Sequence, residues 1–172
     1  MSGINLFFLI VLLWLSAFHA LAQNNKNEVY SIKGIVTQTS SFCGGMPPKK
    51  EMIQELQTPK PIIEKKLFVK KGKKNLIRRK IVKEILTDSS GHFSLSLPAG
   101  TYCIVEDYKT KKFESSEKSI KEIKCAEKQW SQCDYTFCLP EDHNKTIKIN
   151  YHHYCDGQTP CDTENKTNVP AE

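Results

Sequence analysis

Asp88 to Glu106 reads DSSGHFSLSLPAGTYCIVE. Asp88-Ser89-Ser90-Gly91 has the composition of a tight turn: Asp and Ser side chains bond nearby backbone groups, and Gly accepts a positive φ. Phe93, Leu95 and Leu97 then alternate with Ser94 and Ser96. A period of two gives a strand one dry and one wet face. Pro98-Ala99-Gly100 turns the chain back. On the return, Tyr102, Ile104 and Glu106 share one face, and Cys103 and Val105 the other. The stretch predicts a β-hairpin.

Working outward, the same period recurs. Ile32, Gly34 and Val36 alternate with Lys33, Ile35 and Thr37. Thr39 to Pro48 is a loop, punctuated by Gly44-Gly45 and Pro47-Pro48. A short helix follows to about Leu56, with Met52, Ile53 and Leu56 as its apolar stripe and Pro59 and Pro61 closing it. Leu67 to Lys70 and Ile81 to Thr87 are strands joined by a basic connection, Gly72 to Arg79. Downstream, Ser119 with Glu122 makes a capping box. Ile120, Ile123, Ala126 and Trp130 fall at helical spacing behind it. Tyr135 to Phe137 and Ile147, Ile149 and Tyr151 supply the last strands. The fold class expected is mainly β: an antiparallel sandwich of about seven strands with one or two short helical insertions.

The chain has 172 residues and a formal charge of +6. Leu6 to Phe18 is an apolar run broken only by Ser16, and Ala20-Leu21-Ala22 has the small residues of a cleavage site. Residues 1–22 are expected to be a secretory signal peptide. The run is short of the roughly 20 residues that span a bilayer, and no second apolar segment occurs. Residues 23–29 are expected to be a flexible lead-in, 30–161 the folded domain and 162–172 a disordered tail. The destination is secreted, periplasmic or the cell-envelope exterior.

All seven cysteines follow the leader: Cys43, Cys103, Cys125, Cys133, Cys138, Cys155 and Cys161. In an exported chain this predicts disulfides, which persist outside reducing compartments. The most local pairings, Cys155 with Cys161 and Cys125 with Cys133, are the expectation, with one thiol left over. Cys133-x4-Cys138 and His152-His153-x-Cys155 bring soft ligands close in sequence, but no zinc-site spacing occurs. Neither a metal nor a cofactor is expected.

The turn-strand-turn-strand string, with Ile32-x-Gly34-x-Val36 upstream, resembles the carboxypeptidase regulatory-like domains. Their pattern is an opening I-x-G-x-V strand and then D-x-x-G-x-F-x-L-x-L-P-x-G-x-Y. The resemblance covers roughly Tyr30 to Asp107. It implies a transthyretin-like (prealbumin-type) β-sandwich of seven or eight strands, an accessory module common on exported bacterial proteins, with some members in a carbohydrate-binding-like superfamily. This chain adds the cysteine framework and an insertion from Ser40 to Glu64.

Three functions were open on the residues. An enzyme is not expected: G-x-S-x-G, H-E-x-x-H and P-loop motifs are absent. So is the C-terminal Tyr-Arg-Gly-Ser tetrapeptide of the transthyretin-like branch that hydrolyses a purine-derived lactam. His92, His143, His152 and His153 are scattered. Gly100-x-Tyr102-x-x-x-Glu106 matches the pattern of collagen-adhesin domains that form Lys–Asn isopeptide bonds, with Lys33 and Asn150 as candidate partners. The simpler expectation is that Glu106 marks the strand's exit to solvent.

The third function is binding of a polyanion. Lys49 to Lys83 holds 13 Lys and Arg against 3 Glu, a net of +10, which leaves −4 for the rest. Lys70, Lys71, Lys73, Lys74, Arg78, Arg79 and Lys80 are the candidates for an envelope glycan, lipopolysaccharide phosphates or another anionic surface. Nucleic acid is not expected of an exported chain with few interleaved aromatics. A lysine-rich hairpin that only prevents edge pairing is the plainer alternative. A structural or protein-binding module is the base expectation. Two sequons, Asn144-Lys145-Thr146 and Asn165-Lys166-Thr167, matter only in a eukaryotic secretory pathway.

Overall fold

A computed structural model describes residues 28–114, 120–155 and 161. The expected leader, residues 23–27 of the expected lead-in, Ser119 of the capping box, the second sequon and the expected tail lie outside the described residues.

The strands are β1 (Val29–Ser40), β2 (Lys60–Pro61), β3 (Lys66–Lys71), β4 (Ile81–Leu86), β5 (His92–Pro98), β6 (Gly100–Glu106), β7 (Tyr135–Leu139) and β8 (Thr146–His153). Two helices, α1 (Lys50–Gln57) and α2 (Ile120–Ser131), and a 3-10 turn (Asp107–Thr110) complete the described elements. The fold is a β-sandwich, with the two-residue β2 as an eighth strand. In one sheet β1 is central, with β5 and then β2 along one edge and β8 along the other; the second sheet runs β4-β3-β6-β7.

Among the described residues all strand pairs are antiparallel but one. β8 lies parallel to β1, from Lys33 opposite Thr146 to Ser40 opposite His153. A turn from Pro140 to Lys145 carries the chain from β7 in one sheet to β8 in the other, so the last strand enters beside the first in the same direction.

The core lies between the sheets. Ile32, Val36, Leu95 and Ile147 from one sheet meet Leu67, Val69, Ile104 and Phe137 from the other, all buried. Gly34 on β1 and Gly91, Asp88 and Tyr102 of the Asp88–Glu106 string each have a mechanical part. Gly34 stands opposite Phe93, and a Cβ on residue 34 would lie 2.2 Å from the Phe93 ring. Gly91 has φ +74, and its Cβ would come within 2.7 Å of the Val36 carbonyl. Asp88 Oδ1 accepts the amides of Ser90 and His92, at 2.8 and 2.9 Å. Tyr102, buried in the core, donates its hydroxyl 2.8 Å to the Pro98 carbonyl and so locks the β5–β6 turn.

The second sheet also has a covered outer face. Phe68, Cys103 and Val105 are buried there, with Cys133 packed against them. α1 differs: none of its residues is buried, and Met52 and Ile53 are exposed. A helix of two turns outside the sandwich has no sheet face to bury its stripe against.

Both expected local disulfides are corrected. The pairs are Cys43–Cys155, Cys103–Cys133 and Cys125–Cys161, and Cys138 is free. The parallel β1–β8 pairing explains the first, because both strands leave at the same end. Ser41 N to His153 O continues the ladder to the cysteines. Cys103 faces outward on β6 beneath Cys133, just after α2. Sequence proximity says nothing about either juxtaposition.

Candidate functional site

The β3–β4 loop is built on a buried anchor. Lys70 is corrected as a polyanion candidate, because it is only 1% exposed. Strand alternation turns it to the outer face of its sheet, where it is covered. Its Nζ donates 2.7 Å to Asn75 Oδ1, and burial lowers the lysine's pKa. Asn75, 3% exposed, is satisfied all round. Its Nδ2 donates to the carbonyls of Lys109 and Trp130, both at 2.8 Å, and its backbone amide donates 2.9 Å to Ser131 O. One asparagine therefore ties the loop to β3, to the 3-10 turn and to the end of α2. No sequence signal marked Asn75; a lone Asn directly after two lysines looks like a turn residue.

The base of the loop is closed separately. Gly72 has φ +117, and Arg79 packs across it so closely that any Cβ there would strike the guanidinium. Arg79 Nη1 donates 2.6 Å to Lys71 O. Arg79 thus holds the loop shut as well as adding charge.

Lys71, Lys73, Lys74, Arg78, Arg79 and Lys80 are all exposed, as is Lys83 on β4. Among the described residues none of the seven forms an ion pair with a carboxylate. The neighbouring Lys66 does, with Glu84 at 2.8 Å. Leu76, Ile77, Ile81 and Val82 are exposed in the same stretch.

A second polar group sits at one end of the sandwich. Lys65 pairs with Glu106, and Lys109 with Asp134. Asp134 Oδ2 accepts the amide of Glu106 at 2.7 Å and the Tyr151 hydroxyl at 3.1 Å. Burial, with the charges of Asp134 and Glu106, raises the pKa of Tyr151 well above the usual phenol range. Glu106 does not simply exit to solvent; its side chain is 15% exposed and paired. The isopeptide trio is not brought together: Lys33 is level with Thr146, Asn150 is level with Thr37, and both are exposed. Asn150 instead bonds Thr37 and Thr39.

His152 Nε2 lies 2.8 Å from Ser41 Oγ, and Nδ1 lies 3.1 Å from Thr39 Oγ1. A hydroxyl on an imidazole is half of a nucleophilic pair. Here the third partner is a neutral hydroxyl, and the Ser41 amide is used by His153 O rather than left to hold an oxyanion. The contact serves as a rung between β1 and β8. His143 Nδ1 donates 2.6 Å to Pro140 O. His92 lies 4.0 Å from Asp88 beside an open cleft that Lys33, Ser94 and Thr146 also line. Cys133 and Cys155 are in disulfides, which removes the soft-ligand clusters. Among the described residues no three of His, Cys, Asp and Glu are grouped to hold a metal ion.

Fold and site together define a disulfide-stapled β-sandwich that presents one anchored basic loop. No protein-family model matches the chain, and no curated protein matches it. Three disulfides belong to an oxidising environment. Among the described residues no helix is long and apolar enough to cross a membrane.

Proposed function

We propose that the chain is an exported, non-enzymatic module of the carboxypeptidase regulatory-like kind that docks on a polyanionic surface through the β3–β4 loop. One observation carries the docking: six exposed cationic side chains, Lys71 to Lys80, stand on a single pinned loop with no carboxylate partner among the described residues. Long side chains left without a counter-charge around a fixed backbone keep their charge for a partner and reduce the ordering cost of binding. The family reading draws on the opening Ile32-x-Gly34-x-Val36 strand and the hairpin string, whose Gly34, Gly91, Phe93 and Tyr102 each have a packing reason in the sandwich. Export draws on the apolar leader and on the disulfides.

Heparin chromatography tests the docking. The chain from Gln23 onward should be retained at low ionic strength and released as salt screens the loop. K73E/K74E should elute early. Failure of the unsubstituted chain to be retained removes the polyanion reading and returns the module to a structural or protein-binding role.

A further inference from the structure

The same loop exposes apolar side chains that charge binding does not need. Leu76 is 44% exposed and Ile77 46%, between Lys73-Lys74 and Arg78-Arg79-Lys80. Ile81 and Val82 follow on edge strand β4, 43% and 45% exposed. A hairpin that only keeps sheet edges apart requires the lysines and none of these. Clustered apolar exposure marks a surface that something else covers.

Local structure explains why Leu76 and Ile77 do not fold inward. The buried position of the loop belongs to Asn75, whose amide group is fully engaged. Arg79 N donates 3.0 Å to Leu76 O, closing a turn that begins at Leu76 and has Ile77 and Arg78 at its tip. Arg79 then closes the base on Lys71 O.

We propose that this tip docks on an anionic lipid bilayer: Leu76 and Ile77 enter the apolar edge of the membrane while Lys73, Lys74, Arg78 and Lys80 hold headgroup phosphates. The inference rests on the polyanion reading and narrows it to one partner. Charge complementarity selects that partner. A soluble glycan or phosphate polymer offers negative charge but no apolar phase, whereas an anionic bilayer offers both within one side-chain length.

The test is co-sedimentation of the chain from Gln23 onward, without the apolar leader that would itself enter lipid. Phosphatidylcholine vesicles are compared with mixed phosphatidylcholine–phosphatidylglycerol vesicles, and heparin retention is measured in parallel. The expected result is binding at least about tenfold stronger to the mixed vesicles. L76S/I77S should weaken that binding about tenfold or more while leaving heparin retention intact, and a cooperative urea transition like that of the unsubstituted chain shows that the variant is folded. K73E/K74E should lose both. Heparin retention without binding to mixed vesicles overturns the bilayer inference and leaves the polyanion reading standing. Loss of both overturns both. Sedimentation of L76S/I77S equal to the unsubstituted chain, or equal binding to both vesicle types, also overturns the bilayer inference.

Discussion

Lys70 Nζ donates to Asn75 Oδ1 at 2.7 Å in a place that solvent does not reach. The two residues are five apart in sequence and bracket the base of the basic loop. The bond satisfies a buried ammonium with a neutral partner, and Asn75 passes its own donors to two backbone carbonyls.

The pair is asymmetric, and that asymmetry is measurable. Asn75→Ala leaves a buried charge and two carbonyls without partners, and should cost about 2–4 kcal/mol. Lys70→Met leaves only the amide oxygen unmet and should cost less, about 1–2 kcal/mol. Urea titrations of both variants decide it. Equal costs would mean that Asn75 does not anchor the loop.

Gly34 and Phe93 make a steric prediction. The Phe93 ring fills the space of the missing Cβ. Gly34→Ala should destabilise by about 1–3 kcal/mol through overpacking, and Phe93→Leu in the same chain should recover part of that. Additive costs in the double variant would show that the two residues do not share the space.

Disulfide mapping of the unreduced protein should yield Cys43–Cys155, Cys103–Cys133 and Cys125–Cys161, with Cys138 alone alkylated. Cys43 and Cys155 are 112 residues apart, and Cys103 and Cys133 are 30 apart. On chain entropy alone, removing the first should cost roughly 4–5 kcal/mol and the second roughly 3–4. A Cys155–Cys161 peptide in the digest would refute both the Cys43–Cys155 and the Cys125–Cys161 pairs.

Alkaline pH should unfold the protein through Tyr151. Its pKa is raised in the folded state, so above about pH 10 the unfolded chain loses a proton that the folded one keeps. Stability is then lost as pH rises, by up to about 1.4 kcal/mol per pH unit for this group. Tyr108, more exposed, adds less. Lys70, with its lowered pKa, works in the opposite sense, because there the unfolded chain binds the extra proton. Urea midpoints between pH 8 and 11, in a Cys138→Ser background, should fall for the parent and fall less steeply for Tyr151→Phe. Parallel slopes would remove Tyr151 as the cause.

The elements follow from local chemistry. Alternation from Phe93 to Leu97, the turn residues Asp88 and Gly91 and the Pro98–Gly100 reversal are one-dimensional signals, because side-chain period and turn conformation depend on neighbours in the chain. The sandwich, the hairpins and both helices were legible on that basis, as was the charge concentrated from Lys49 to Lys83. The cysteine partners were not. Pairing depends on which strand ends emerge together, and that followed only once β8 lay parallel to β1.

The candidate site divides in the same way. Sequence alone determined that this chain carries a strongly basic hairpin on a β-sandwich. Tertiary structure decided which of those residues face solvent. Covering the outer face of the β3 sheet buries Lys70 and gives Asn75 its partners, and this leaves Leu76 and Ile77 in water beside the lysines. Burial depends on what packs across a strand from distant parts of the chain, and no local pattern around residue 70 carries that information.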